Sequence, residues 1–97
     1  MSLETLKEKY PLTYSKPMSC GYWCPEEWEP IIENLSEKIE KHLEQNPELQ
    51  NGFSVDQVKE KFGGLRYYIT GGDETIEEHI TQAEIEIVAL RNNNCKK

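Results

Sequence analysis

Hydrophobic positions recur with helical spacing in the stretch PEEWEPIIENLSEKIEKHLEQNP. The apolar residues follow a 4-3-4-4 spacing, which places them on one side of a helix and makes them core candidates. They are Trp28, Ile32, Leu35, Ile39 and Leu43. Pro30 suits a first helical turn, and the residue before Pro47 avoids the α region. We therefore predict a helix over 26–46, with a tighter turn at 24–28 and regular helix from Glu29 or Pro30.

A second helical pattern covers 73–91, DETIEEHITQAEIEIVALR. Asp73 or Thr75 can cap the first amides, and Thr75 with Glu78 matches a capping box. The main apolar stripe consists of Ile76, Ile80, Ala83, Ile87 and Leu90. This stripe predicts burial against a sheet.

The same helix carries a second, smaller apolar patch at Thr81, Ile85 and Val88. At 100° per residue Ile85 lies opposite the main stripe, so the patch needs another partner. One interpretation is an amino-terminal segment of the same chain, through Leu3, Leu6 or Tyr10. The other is self-association, since small domains often need partners for stability. We expect a homo-oligomer with Thr81, Ile85 and Val88 at its interface.

Period-two alternation appears in VKEKFGGLRYYIT, residues 58–70, and predicts a β-hairpin over 55–70. Gly63-Gly64 suits a two-residue turn because both residues can adopt positive φ. This turn pairs Phe62 with Leu65 and Lys61 with Arg66. Alternation then assigns to the core face Val58, Glu60, Phe62, Leu65, Tyr67 and Ile69. The opposite face carries Lys59, Lys61, Arg66 and Tyr68.

The elements together predict one α+β domain over 1–97, in the order α-β-β-α, with the hairpin packed against two acidic helices. Residues 1–24 form an arm that begins as a short helix. The stretch MSCGYWCPEEW predicts an aromatic cluster, built on both tryptophans, that covers one end of the core. A further strand in this arm or near Phe53 would extend the hairpin to three strands.

Charge divides the chain unevenly. The net charge is −7; residues 26–50 carry eight acids and two lysines, whereas 55–70 has a net charge of +1. The overall balance argues against direct nucleic-acid binding, because phosphate neutralisation supplies most non-specific affinity. No apolar run reaches the length of a membrane span, and no signal-peptide pattern opens the sequence, so we expect a cytoplasmic protein.

The basic hairpin face is the candidate site. Lys61 and Arg66 lie together although like charges across strands are mildly destabilising, so an anion is expected to compensate them. Helix carboxylates such as those of Glu33, Glu37 or Glu77 are one source. An external carboxylate or the phosphate of a nucleotide, its base stacked on Tyr67 or Tyr68, is the other. The predicted ligand-binding residues are Lys59, Lys61, Gly63, Gly64, Arg66 and Tyr68.

Other chemistry has weaker support in the sequence. Cys20 and Cys24 are spaced C-x3-C, and Cys95 is the third cysteine, so we predict reduced thiols and no metal site or cofactor. Catalysis would fall to Glu60 with His79 or His42 as acid-base groups, but both histidines lie at the edges of apolar helix stripes, where a structural role is commoner than a catalytic one. We therefore expect a protein that is not an enzyme.

A resemblance adds a biological setting. The hairpin VKEKFGGLRYYI follows a CGYW turn and an II-x-x-L helix, and precedes a helix with an Ala83-Glu84 pair. This arrangement resembles a family of small proteins of phages and bacterial genomes that has no established activity. The relatives often end in a cysteine-containing tail, whereas this tail, NNNCKK, holds only Cys95. In a phage, binding of a nucleotide-like ligand would act as counter-defence. The alternative is an acidic inhibitor or adaptor that binds a host protein through its helices and mimics nucleic acid.

Overall fold

Four α-helices and a three-stranded sheet make up the computed structural model, which describes residues 3–16, 18 and 21–95. The predicted α+β class is confirmed. In chain order the elements are α1 (Leu3–Lys9), β1 (Gly21–Tyr22), a 3-10 turn (Glu26–Trp28), α2 (Glu29–Gln45), α3 (Pro47–Gln50), β2 (Ser54–Lys61), β3 (Gly64–Thr70) and α4 (Glu74–Cys95). In the described part of the chain, no helix is both long enough and apolar enough to cross a membrane.

Helix α2 forms as its apolar spacing predicts. Pro30 lies in its first turn, where a missing amide proton costs nothing, and the helix ends before Pro47. The predicted stripe is buried throughout, from Trp28 to Leu43. The tighter turn predicted before the helix is the 3-10 turn at Glu26–Trp28.

Helix α4 is capped by Asp73. Its Oδ1 accepts a hydrogen bond from the amide of Ile76 at 3.1 Å. Because the helix begins at Glu74, Thr75 lies inside the first turn, and the predicted capping box of Thr75 is wrong. The helix also runs to Cys95, four residues beyond the predicted end. Its main stripe faces the core, where Ile76 and Ile87 are fully buried.

The sheet has the order β1-β2-β3, with β1 parallel and β3 antiparallel to β2. The additional strand lies in the amino-terminal arm, one of the two places where the sequence allowed it. Its pairing joins Gly21 to Gln57 and Tyr22 to Val58. The sequence-distant arm therefore forms one edge of the sheet, and β3 forms the other.

The hairpin turn lies one residue earlier than predicted. Phe62 and Gly63 form it, with φ of 55° and 80°, and Lys61 pairs with Gly64 across the strands. Two positive φ angles are those of the type I′ turn that favours hairpins. The predicted pairing of Phe62 with Leu65 is wrong, since Phe62 lies at the tip with 83% of its surface exposed.

Because the turn lies one residue earlier, each residue of β2 from Gln57 to Lys61 pairs with a β3 residue two positions from the predicted one. Side chains alternate between the two faces with a period of two, so they keep their predicted faces. Lys59, rather than Lys61, lies opposite Arg66. A bulge between Val55 and Gln57 then realigns the start of β2 with the end of β3. The predicted two faces of the hairpin are thus confirmed for every member except Phe62.

A chain of buried hydroxyls begins on the core face of the hairpin. Tyr67 lies opposite Val58, and its hydroxyl is 2.9 Å from the Tyr14 hydroxyl, which is 2.6 Å from Ser36 Oγ. Hydroxyl groups buried in a core need such partners. This network joins the sheet to α2 and to the arm.

The arm is held in place by a buried carboxylate. Glu40 on α2 accepts hydrogen bonds from the amides of Leu12 and Thr13, and from Thr13 Oγ1, at 2.9–3.2 Å. Glu40 is only 7% exposed. Leu6 of α1 is fully buried in the same core. The arm therefore packs on α2 instead of extending over α4.

Candidate functional site

The face of the sheet that points away from the helices is lined with basic and aromatic side chains. Alternation along each strand places them there, opposite the buried residues Val58, Leu65 and Tyr67. We call this surface the platform; its side chains are Trp23, Gln57, Lys59, Lys61, Arg66 and Tyr68. Four of the six predicted ligand-binding residues belong to it.

Lys59 and Arg66 form the centre of the platform. They are direct cross-strand partners, which places their Cβ atoms about 4.5–5.5 Å apart. Among the described residues, no ion pair within 4.0 Å involves Lys59, Lys61 or Arg66. Within the described residues, the cationic pair therefore has no carboxylate in salt-bridge contact.

Two of the three helix carboxylates expected as one source of compensation have other partners. Glu33 forms an ion pair with Lys9, and Glu37 is 3.3 Å from Lys41 within α2. Hydrogen bonding to Lys9 lowers the pKa of Glu33 below its ordinary value. Glu77 lines a groove beside Tyr68 instead of pairing with a platform cation.

Two shallow grooves lie at opposite edges of the sheet. The first, of about 290 Å³, is lined by Trp23, Gly21, Gln57 and Lys59 together with Tyr22 and Val58. The second, of about 260 Å³, is lined by β3 residues that include Tyr68 and by α4 residues that include Thr81. Trp23 is 62% exposed and Tyr68 47% exposed, so each ring is accessible.

Trp23 is the site residue that sequence reasoning missed. We predicted that both tryptophans would cover the core, but only Trp28 is buried. The amide of Trp23 donates a hydrogen bond to the carbonyl of Val58 at 2.8 Å, which continues the pairing of β1. Since Tyr22 pairs with Val58 on the core side, the next residue points to the open face. No local signal distinguishes the two tryptophans, because the distinction depends on this long-range pairing.

The hairpin tip carries the two glycines of the predicted site, Gly63 and Gly64. The amide of Gly63 donates to Glu60 Oε2 at 2.6 Å, and Gly64 belongs to β3. Glu60, on the core face of the hairpin, is thus bound by a turn amide. The Lys61 ammonium lies 5.6 Å from the centre of the Phe62 ring.

A third groove, of about 290 Å³, connects the tip to α4. Lys61 and Arg66 line it on the hairpin side, and Glu84 and Val88 line it on the helix side. Glu84 is thus the helix carboxylate placed in a groove with two platform cations, although it forms no ion pair with them in the described part of the chain.

Tyr67 is not a stacking surface. Its ring is 5% exposed and its hydroxyl belongs to the buried network with Tyr14. Burial raises the pKa of Tyr67 well above its ordinary value and that of Tyr14 to about 12, so both hydroxyls stay protonated near neutral pH. Of the two tyrosines considered from the sequence, only Tyr68 is accessible to a ligand.

The candidate acid-base residues have separate partners. Glu60 binds the hairpin turn, whereas His42 Nε2 lies 2.8 Å from Asp73 Oδ2 at the start of α4. The hydrogen bond from His42 lowers the pKa of Asp73. Burial, followed by the charge of Lys38, lowers the pKa of His79. These contacts bind α2 to α4 and make no joint site with Glu60.

The cysteines are described only in part. Cys24 is half-buried, and burial raises the pKa of its thiol to about 12, which opposes formation of a reactive thiolate. Cys20 and the side chain of Cys95 lie outside the described residues, and so does any contact among the three. Across the residues that are described, no group of three or more His, Cys, Asp or Glu side chains could hold a metal ion.

Among the described residues, none covers the outer face of α4. Ile85 is 56% exposed and Val88 49% exposed, and they line a shallow groove of about 360 Å³ with Ala89. The interpretation that Leu6 or Tyr10 covers this patch is wrong, because Leu6 lies in the core and Tyr10 lies beside Glu33 of α2. The side chain of Leu3 lies outside the described residues.

Comparisons with known proteins found no match, so a functional argument has to rest on the site itself. No protein-family model matches the chain, and no curated protein or solved structure matches it either. The resemblance of the hairpin to phage and bacterial proteins therefore stays a prediction.

Proposed function

We propose that this protein binds a small anionic, nucleotide-like ligand on the platform and acts by binding, without catalysing a reaction. The observation that carries the proposal is the Lys59–Arg66 pair, which lies at the centre of an open face without a salt-bridged carboxylate in the described residues. A fold gains nothing from two opposed cations. An anionic ligand that bridges them would remove the repulsion.

The neighbouring aromatic rings supply the nucleotide-like part of the proposal. Tyr68 is exposed on β3, two strand positions from Arg66, so its ring can stack on a base whose phosphate lies on the cations. Arginine grips phosphate in a bidentate manner, and lysine adds a point charge. Backbone amides of the turn are not part of this site, since Gly63 already donates to Glu60.

Nuclear magnetic resonance titration tests the proposal. Adenosine 5′-monophosphate should shift the amide signals of 57–59 and 66–68, and adenosine without phosphate should shift them much less. The variant Lys59→Gln/Arg66→Gln should lose the response, whereas Lys7→Gln/Lys41→Gln, which removes the same charge from exposed helix positions, should keep it. Shifts that are absent at millimolar nucleotide, or that persist in the first variant, would overturn the proposal.

The outer face of α4 supports a homo-oligomer as the active form. Ile85 and Val88 lie one helical turn apart, beside the small side chain of Ala89, and so present an apolar stripe that a second copy can pack against. The groove with Lys61 and Arg66 on one side and Val88 on the other borders this stripe. Self-association would therefore enclose one edge of the ligand site.

Sequestration is how such a binder would work in a cell. In the cytoplasm of a phage-infected host it would lower the concentration of a nucleotide-like signal, in keeping with the resemblance of the hairpin. An acidic adaptor is the alternative, and the exposed carboxylates of α2 and α4 favour it. Neutralising Lys59 and Arg66 separates the two, because a ligand binder loses its ligand whereas an adaptor keeps its protein partner.

A further inference from the structure

The position of Trp23 gives the platform a second stacking surface. Because Tyr22 pairs with Val58, the next residue, Trp23, lies beside Lys59 on the open face. Lys59 in turn pairs with Arg66, so the three side chains form one row across the strands. Tyr68 lies in the adjacent row, opposite Gln57. The two exposed rings therefore lie on opposite edges of the sheet; Lys59 is on the strand between them, and Arg66 is on the same edge strand as Tyr68.

The strand geometry sets the separation of the rings. Trp23 and Tyr68 are two strand spacings apart across the sheet and one same-face step apart along it. Their Cα atoms are therefore roughly 12 Å apart. One base cannot contact both rings over such a distance.

Each ring has its own groove. The groove at Trp23 has a volume of about 290 Å³ and the groove at Tyr68 about 260 Å³. Both lie at or below the lower limit of about 300 Å³ for pockets that enclose a whole ligand. Gly21 leaves the floor of the first groove open, since no described residue other than its chain neighbours has an atom within 4 Å of the position that a Cβ would take. Each groove suits one planar ring.

We infer that the ligand is a dinucleotide, two bases joined through phosphate, an inference that rests on the proposed function. One base stacks on Trp23, the other stacks on Tyr68, and the phosphate lies on Lys59 and Arg66. The sugars and the phosphate link give the two bases the reach that the separated rings require. Stacking on aromatic side chains tolerates any base, so the arrangement fixes the number of bases and not their identity.

A longer single strand fits the surface less well. Beyond Tyr68 a strand would meet Glu77, and beyond Arg66 it would meet Glu84, both of which line the adjoining grooves. The whole chain also carries a net charge of −7, which repels an extended polyanion. Further nucleotides would therefore add repulsion and no stacking surface.

Isothermal titration calorimetry with three adenine probes tests the inference. The probes are adenosine 5′-monophosphate, 5′-phosphorylated diadenylate and single-stranded octa-adenylate. Diadenylate should bind at least about tenfold more tightly than the mononucleotide, the gain expected for one further base stack. Octa-adenylate should bind no more tightly than diadenylate. Trp23→Ala and Tyr68→Ala should each reduce diadenylate affinity to the level of the mononucleotide.

Two controls distinguish ring loss from a general effect. Trp23→Phe keeps a stacking surface and should keep most of the diadenylate affinity. Phe62→Asn removes an exposed ring at the hairpin tip, outside both edge grooves, and should change nothing.

Each contrary result identifies what fails. Equal affinities for the mononucleotide and diadenylate, or full diadenylate affinity in Trp23→Ala, would overturn the inference of a dinucleotide ligand. In that case, binding of the mononucleotide that depends on Lys59 would still uphold the proposed function. Affinity that rises strongly with octa-adenylate would also overturn it in favour of a polymer. No binding of any probe at millimolar concentration would overturn the proposed function and the dinucleotide together.

Discussion

Reversing the charge of Lys59 should stabilise the fold and abolish ligand binding. Lys59 lies directly opposite Arg66 and two residues from Lys61 on the same face, so it is the most crowded of the platform cations. With charged ends about 6 Å apart in water, Coulomb repulsion is about 0.7 kcal/mol. This value lies within the roughly 0.2–1 kcal/mol found for cross-strand pairs.

The expected change in the free energy of unfolding follows from this repulsion. Lys59→Gln removes it and should raise the free energy of unfolding by about 0.5 kcal/mol; Lys59→Glu turns repulsion into attraction and should add about 1 kcal/mol. For a domain of about this size, 1 kcal/mol corresponds to a Tm change of about 4–8 °C. Thermal unfolding followed by circular dichroism in low salt should give the highest Tm for Lys59→Glu, an intermediate Tm for Lys59→Gln and the lowest Tm for the wild type.

Salt and a matched variant make the test specific. Because the interaction is exposed, the gain should shrink in about 0.5 M salt, where screening is strong. Lys61→Glu makes the same charge change opposite Gly64, which has no side chain, and should shift Tm by less. A Lys59→Glu protein that melts at or below the wild-type Tm in low salt would refute the argument that the platform cations are uncompensated.

Three further changes probe the arm, the α2–α4 contact and the outer helix face. Glu40→Gln replaces the buried carboxylate that holds the arm, and should lower the urea midpoint by an amount equivalent to about 2 kcal/mol, whereas the exposed Glu37→Gln should not. The lowered pKa of Asp73 means that its contact with His42 contributes stability above about pH 4 and loses it as pH falls through the folded-state pKa. Urea midpoints from pH 6 to pH 3 should therefore fall less steeply in Asp73→Asn than in wild type, and equal slopes would contradict this. By light scattering we expect an oligomer for the wild type and a folded monomer for Ile85→Glu; a monomeric wild type, or a variant with the wild-type mass, would remove α4 as the interface.

Helix α2 shows how far periodicity alone can predict this fold. Its start, its end and its buried stripe depend on residues within the helix and on two prolines, so local sequence is sufficient. Ser36 and Glu40 lie on the same buried side of the helix, four residues apart. Polar residues at these positions are a signal that could have predicted the buried contacts to the arm.

The hairpin shows where local reasoning ends. A Gly-Gly pair favoured a turn at Gly63-Gly64, yet the turn uses Phe62 with a φ of 55°, a conformation that local propensity disfavours for a bulky residue. The two faces were predictable because alternation is unchanged when partners move by two residues. Trp23 was not predictable, since its side of the sheet depends on pairing with a strand more than thirty residues away.

Native mass spectrometry tests the central claim, that the platform holds a small anionic ligand, most directly. Wild-type protein would be incubated with a small-molecule extract of bacterial cells, beside Lys59→Gln/Arg66→Gln and the charge-matched Lys7→Gln/Lys41→Gln. We predict a discrete added mass on the wild type and on the matched variant, absent from the platform variant. An unmodified wild-type mass, or an added mass that the platform variant retains, would contradict the account.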